Sequence, residues 1–303
     1  MNTKPTLRGQ LSDIDLRLLR VFKAVAECGG YGAAELELNI NRSTISIHMS
    51  DLEQRLGINL CHRGRGRTVF SLSEQGKEVY IAIVELFAQL DSFRSRINAI
   101  QSELTGKLRI ALPDDWLQLT QEKLSPAIAR FRQKAPQVEL EVLAHAPNEI
   151  DLDIMNNRAD IAINVAYSKR PGLEYKFLYA HCGSLYCGDK HPLFNHSKVT
   201  TEEVLQCDLI TTSHAVNNTL HKIFSQFPNR AVANHMSGRM VLLLSGGYVG
   251  FIPDYFAKTW LDQGRIKKLD VPGFDYTLDN MVIYKKQAKE NPLIKLLVAE
   301  IFR

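Results

Sequence analysis

Long apolar runs are missing from this chain of 303 residues. The best stretch, Met240 to Ile252, is broken by Ser245, Gly246 and Gly247 and is too short to span a bilayer. Met1 to Gln10 is polar and lacks the apolar core of a secretion signal, so a cytoplasmic location and no membrane partner are expected. Cysteine is scarce. Five of them, an odd number, suit a reducing compartment in which thiols serve as small apolar side chains, and no structural disulfide is expected. Cys28 and Cys61 read as core. His181, Cys182, Cys187 and His191 hint at a metal or redox centre, but on one strand the two sulfurs face opposite ways roughly 17 Å apart, beyond shared-metal reach. Catalytic signatures are missing too: there is no His-Glu-x-x-His, no Gly-x-Ser-x-Gly, no phosphate-binding Gly-x-x-x-x-Gly-Lys and no complete Gly-x-Gly-x-x-Gly. No catalytic residue, metal or cofactor is therefore expected. Excess charge of one sign is also lacking. Against 33 acidic residues stand 37 basic ones, a net +4, so any affinity for phosphate must come from local clustering. Repeats and low-complexity segments do not occur.

What is present is 45% hydrophobic residues in a chain long enough for two or three compact units. Ile14, Leu18, Phe22 and Val25 recur at helical spacing up to Gly29-Gly30. A shorter helix with Ala33, Ala34, Leu36 and Leu38 ends in Asn39-Ile40-Asn41, residues suited to a tight turn and an N-cap. In the third helix Ile45, Met49, Leu52 and Leu56 form one stripe, leaving Ser43, Ile47, Ser50 and Gln54 on the other side. Leu60 to Leu72 reads as two short strands around the turn Arg63-Gly64-Arg65-Gly66-Arg67, a basic hairpin. From Ser73 a heptad seam runs through Val79, Ile83, Leu86, Leu90, Phe93, Ile97, Ile100 and Leu104. On a long, otherwise polar helix it asks for a partner, either a twin helix or the protomer's own C-terminal part. Beyond Lys107, strands at Leu108–Leu112, Val138–Leu143 and Ile161–Ile163 alternate with helical patterns, which predicts right-handed βαβ units and a largely parallel sheet. Further strands near Cys182–Cys187 and Asp208–Thr212 open a second lobe, and Met281–Tyr284 supplies a last one.

The run Ala33-Ala34, Leu36 or Leu38, Asn41-Arg42-Ser43-Thr44-Ile45-Ser46, Leu52-Glu53 and Leu56-Gly57 resembles the helix-turn-helix of LysR-type transcriptional regulators. The hairpin and Leu72-Ser73-Glu74-Gln75-Gly76 fit that family as well. So do Ala159–Ile163, His191-Pro192-Leu193 and Gly246–Pro253, in the family's order. Arg42-Ser43 replaces a common Gln-Pro, and Cys61 a common aromatic, which bears on the operator sequence more than on DNA binding. The resemblance implies an α+β multi-domain chain: a winged helix-turn-helix over residues 11–72, a linker and dimerisation helix over 73–105, and a two-lobed α/β effector domain of the type 2 periplasmic-binding-protein kind. Lobe I takes 107–181 with 275–303, and lobe II takes 182–274. The implied partners are double-stranded DNA carrying interrupted inverted repeats in promoters, a small-molecule effector, a second copy of the chain in dimers and tetramers, and RNA polymerase. A stand-alone small-molecule receptor or solute-binding protein would share the two-lobed body; an enzyme is the third class.

On this reading Asn41, Arg42, Ser43, Thr44, Ser46, Ile47, His48 and Ser50 meet the major groove, where Arg42 suits guanine and Ile47 a thymine methyl. Arg63, Arg65 and Arg67 approach phosphates or a minor groove, although basic hairpin tips are also common solvated surface. With about four such contacts per protomer, affinity should fall steeply with salt. Position by position, the resemblance lines an effector cleft with Pro113, Asp114, Asp115, His145, Asn148, Asn164, Val165, Thr212, Ser213 and Phe251. Two aspartates there would suit an effector offering donors or positive charge, unless one merely caps a helix.

Overall fold

The computed structural model of the chain describes residues 11–62, 70–100, 104–113, 120–213, 216 and 218–303. They divide into two compact units, one up to Asp91 and one from Ser92.

In the first unit α1 (Asp13–Glu27) opens on a capping box between Ser12 and Asp15 and closes before Gly29, whose φ of 73° suits a residue without Cβ. Next, α2 (Tyr31–Leu38) gives way to Asn39 in the left-handed region, and α3 (Arg42–Leu56) starts from Asn41. Leu18, Phe22, Val25, Ala34, Ile45, Met49, Leu52 and Leu60 bury one another in the core. Glu53 is buried in order to accept the backbone N–H of Leu60 at 2.8 Å, which ties the end of α3 to the start of the hairpin. Of the two expected hairpin strands the described part is a single antiparallel bridge, Cys61 to Leu72; Arg63, Arg65 and Arg67 lie outside the described residues.

The long helix α4 (Glu74–Ile100) does not keep its whole seam for a twin. Ile83 is buried in the core of the first unit, with Val79 and Leu86 packed against it, because the start of α4 closes that core beneath α1 and the hairpin. Phe93, at 63% exposure, and Ile97, at 42%, remain open, and Leu90 is half-buried. The side chain of Ile100 lies outside the described residues. Leu104 stands just before the first strand and packs on the core of the second unit, so it is not a seam residue.

In the second unit one nine-stranded sheet runs β2-β1-β3-β9-β4-β7-β5-β6, with β8 (Ile266–Lys268) paired to β4. β1 (Thr105–Pro113) lies parallel to β2 (Gln137–His145) and β3 (Ile161–Val165). β5 (Asp208–Thr211) lies parallel to β6 (Arg230–Val232) and β7 (Tyr248–Pro253). Between these two parallel halves run β4 (Leu173–Gly188) and β9 (Asp275–Lys285), antiparallel to each other and to their neighbours. The expected largely parallel sheet is thus two parallel halves joined by an antiparallel centre. β4 begins nine residues before Cys182, and β9 six residues before Met281.

Strand periodicity builds the cores. Leu108, Ile110, Ile161, Ile163, Val282 and Tyr284 face α5 (Ser125–Lys134) and α11 (Pro292–Ile301), while Ala111, Ala162, Met281 and Ile283 face α6 (Pro147–Met155). On the other half Leu185, Cys187, Leu209, Val249 and Phe251 form one face, and Tyr186, Ile210 and Ile252 pack under α9 (Met236–Ser245) and α10 (Asp254–Asp262). The short helices α7 (Thr201–Leu205) and α8 (Asn218–Phe224) cover the first of these faces. Tyr276 and Leu278 belong to this second half although β9 continues into the first.

Candidate DNA interface and ligand cleft

Exposure separates the two sides of α3. Ile45, Met49 and Leu52 are buried, whereas Arg42, Ser43, Ser46 and Ser50 are exposed and Ile47 stands 61% open to solvent. His48 and Thr44 are half-buried at the margin. Asn41 does not stand free: its Oδ1 accepts from the Thr44 N–H at 2.8 Å, from the Thr44 hydroxyl at 2.8 Å and from the Ser43 hydroxyl at 2.6 Å. Such a cap stabilises a helix by about 1 kcal/mol. It also divides the labour among the residues expected to face DNA. Asn41, Ser43 and Thr44 hold the helix start, while Arg42, Ser46, Ile47 and Ser50 form the open face. The Arg42 backbone N–H is held by the Glu35 carboxylate, which ties α2 to the first residue of α3.

In the second unit a cleft of about 480 Å³, solvent included, lies between the halves of the sheet. Pro113 ends β1 on one side, Pro147 opens α6, and Val165 and Tyr167 follow β3. From the other half come Asn234, Met236 and Arg239 at the start of α9, with Pro253 and Tyr255 at the start of α10. His181 on β4 and Tyr276, Leu278 and Asn280 on β9 complete the lining. Three helices of nine or ten residues thus begin at the cleft, and at none does the N-cap residue, Ala146, His235 or Pro253, bond the first turn through its side chain. Their dipoles favour negative charge at the cleft. Arg239 adds a full positive charge, its guanidinium steadied by the carbonyls of Ala233 at 3.2 Å and Phe251 at 3.5 Å. Asp254, the first residue of α10, is itself engaged: its carboxylate accepts the Tyr186 hydroxyl at 2.8 Å.

Of the residues expected in the cleft, Pro113 and Val165 line it. Asp114 and Asp115 lie outside the described residues. Phe251 is not a cleft residue: at 3% exposure it stacks on Phe274 inside the core of the second half, because strand alternation turns its side chain away. Asn164 is likewise buried, donating to the Pro147 carbonyl at 2.8 Å, and so holds the start of α6. His145 pairs with the buried Asp153 at 2.5 Å. Asn148 sits in the first turn of α6 with its side-chain oxygen buried and without a partner among the described residues. Ser213 bonds the lining residue Asn234 through its N–H and its hydroxyl, at 2.9 and 3.0 Å, and Thr212 precedes it at the end of β5.

Comparison with known proteins decides the family. Residues 16–77 match the model of the bacterial regulatory helix-turn-helix protein, lysR family, and residues 101–303 match that of the LysR substrate binding domain. The HTH-type transcriptional activator BauR of Pseudomonas aeruginosa is 34% identical over 289 residues, which cover 95% of this chain and 94% of BauR. The chain belongs to the LysR family of transcriptional regulators. It carries that family's pair of domains, one for DNA and one for an effector. A second relative, the HTH-type transcriptional regulator PtxR of the same organism, is 25% identical over 272 residues, which cover 88% of this chain and 84% of PtxR. Among solved structures, a full-length OxyR variant from Pseudomonas aeruginosa superposes with a TM-score of 0.64 at 15% identity, covering 97% of this chain and 95% of that one. Full-length CbnR in complex with its target DNA does so with a TM-score of 0.64 at 18% identity, covering 95% and 99%. At such identities these two structures speak for the fold of a LysR-type regulator.

Arg239, Tyr255, Tyr276 and Asn280 carry no mark in the sequence, and His181 is marked there only as part of a metal or redox centre. Each is a single polar or aromatic residue within an apolar strand or at a helix start, and no spacing marks it. One signal was available: Asn280 and His181 interrupt runs of strand residues where a buried polar side chain needs a reason.

Proposed function

We propose that this LysR-type regulator binds interrupted inverted repeats in promoters as a homodimer that assembles further into tetramers, and that a small anion in the cleft sets its activity. The observation that carries the DNA part is the bare Arg42, Ser46, Ile47 and Ser50 side of α3 opposite its buried stripe. Phe93 and Ile97, exposed on α4, are the part of the seam left for the second copy. The protein acts in the cytoplasm without catalysis, with RNA polymerase as a further partner. On this reading the DNA-binding part is 11–72, the linker helix 73–105, and the lobes 107–181 with 275–303 and 182–274, exchanging chain through β4 and β9.

Arg239 and the dipoles of three helix starts support an anionic effector, such as a short-chain carboxylate, in place of the donor-bearing one expected from Asp114 and Asp115, which lie outside the described residues. Sequencing of chromosomal fragments retained by the purified protein tests the DNA part; retention without preference for any fragment rejects it. Arg42, Arg63, Arg65 and Arg67 contribute about four phosphate or base contacts per protomer, so the log of the binding constant should fall against log salt with a slope of about −4 or steeper. A flat salt response removes the arginines from the interface. For the cleft, thermal-shift screening should find organic acids that stabilise the wild type. Arg239→Gln should weaken binding of the best acid about tenfold or more while leaving DNA retention without effector unchanged. Stabilisation by amines alone rejects the anion.

A further inference from the structure

His181 and Asn280 meet at the floor of the cleft on the two strands that pass from one half of the sheet to the other. Imidazole Nδ1 and amide Nδ2 lie 2.6 Å apart, and both residues are buried, at 9% and 0% exposure. The shared bond uses one polar atom of each and leaves one of each. If the amide N–H donates to Nδ1, the imidazole proton sits on Nε2 and the amide oxygen is the spare acceptor. If the amide is turned, its oxygen accepts from Nδ1–H, Nε2 becomes the acceptor, and the amide N–H is the spare donor. Either arrangement leaves one donor atom and one acceptor atom unused, besides the second N–H of the amide in the first. Asn280 Oδ1 has no partner among the described residues although it is fully buried, an arrangement that natural cores rarely tolerate.

The surroundings keep the imidazole uncharged. Tyr255 and Tyr276 stand edge-on to it, with ring centres at 5.4 and 6.3 Å, and burial pulls its pKa down to about 4 against the smaller opposing effect of Asp254. A neutral ring with a neutral amide suits a neutral group. We infer that His181 and Asn280 act as a donor–acceptor couple that selects, among small anions entering the cleft, those carrying a hydroxyl. A hydroxyl gives and accepts through one atom and so satisfies both spare positions. A second carboxylate would set acceptor against acceptor, an ammonium donor against donor, and a methyl would leave both dry. Selection of this kind is strong where the site, not the ligand, is left unpaired by the wrong choice. The inference rests on the anion reading of the cleft, in which Arg239 holds the charged end.

Calorimetric titration of the full chain with butyrate, the three hydroxybutyrates and the matching aminobutyrates tests it. At least one hydroxybutyrate should bind about tenfold or more tightly than both butyrate and its amino counterpart. His181→Phe should reduce that preference, read as the ratio of the hydroxybutyrate and butyrate constants of the same variant, to about twofold or less. His181→Gln, which keeps a donor and an acceptor, should restore part of it. Imidazole 15N resonances of the wild type give a reading independent of how the variants fold: hydroxybutyrate should move the His181 Nε2 signal and butyrate should not. Equal binding of all the acids, an unmoved Nε2 signal or a preference that survives His181→Phe overturns the couple and leaves the anion cleft standing. If no acid binds at all, the anion reading falls and the couple with it.

Discussion

Ser46→Asp should lower affinity for the preferred chromosomal fragment about 100-fold or more, measured by fluorescence anisotropy at fixed salt. The residue is exposed near the middle of the open side of α3, so a carboxylate there costs the fold little. Inside a major groove the same carboxylate faces two phosphate strands and base edges rich in acceptors, and two lost decades correspond to about 2.7 kcal/mol. Exchange of Gln54, exposed on the last turn of the same helix, for aspartate should cost far less. Equal losses at both positions, or none at Ser46, would remove this face from the interface.

Gly76→Ala should unfold the first unit at lower temperature and abolish DNA retention, while acid binding in the second unit persists. A Cβ at residue 76 would lie 2.0 Å from the Leu60 carbonyl oxygen and 3.2 Å from its Cα, both backbone atoms that cannot swing aside. The start of α4 must then move off the hairpin, taking Val79 and Ile83 out of the core they help close. Overpacking of this kind costs about 3 kcal/mol and more when backbone is the obstacle. Differential scanning calorimetry should show one transition shifted down and another unmoved. An unaltered thermogram with intact DNA binding would mean that the close approach of Gly76 to Leu60 is not needed.

Local chemistry makes the first unit more legible in the sequence than the second. The helices of the first unit and the caps at Asn39 and Asn41 were legible because a cap is decided within three or four residues. The glycine of Leu72–Gly76 was read as a landmark; its reason, the carbonyl of Leu60, lies sixteen residues back and emerges only with the tertiary contact. A four-three spacing marks an apolar stripe but not what covers it, so Ile83 and Phe93 looked alike in sequence although one closes a core and the other is bare. The first half of β4 was missed because Glu174, Lys176 and partly exposed aromatics break the apolar pattern, and only pairing with β9 makes it a strand. In the cleft, polar residues at strand ends are the legible ones, whereas His181 and Asn280 sit within strands, where only the interruption of an apolar run marks them.

Because β4 and β9 each belong to both halves of one sheet, the sensor cannot be dissected at the points where its lobes seem to begin. A fragment cut near residue 182 or 274 would carry away part of a ladder and leave the rest as raw strand edge, an invitation to aggregate. Anyone exchanging lobes between relatives to graft a new effector response would do better to move both strands whole, with breakpoints in the turn before Leu173 and after Lys285.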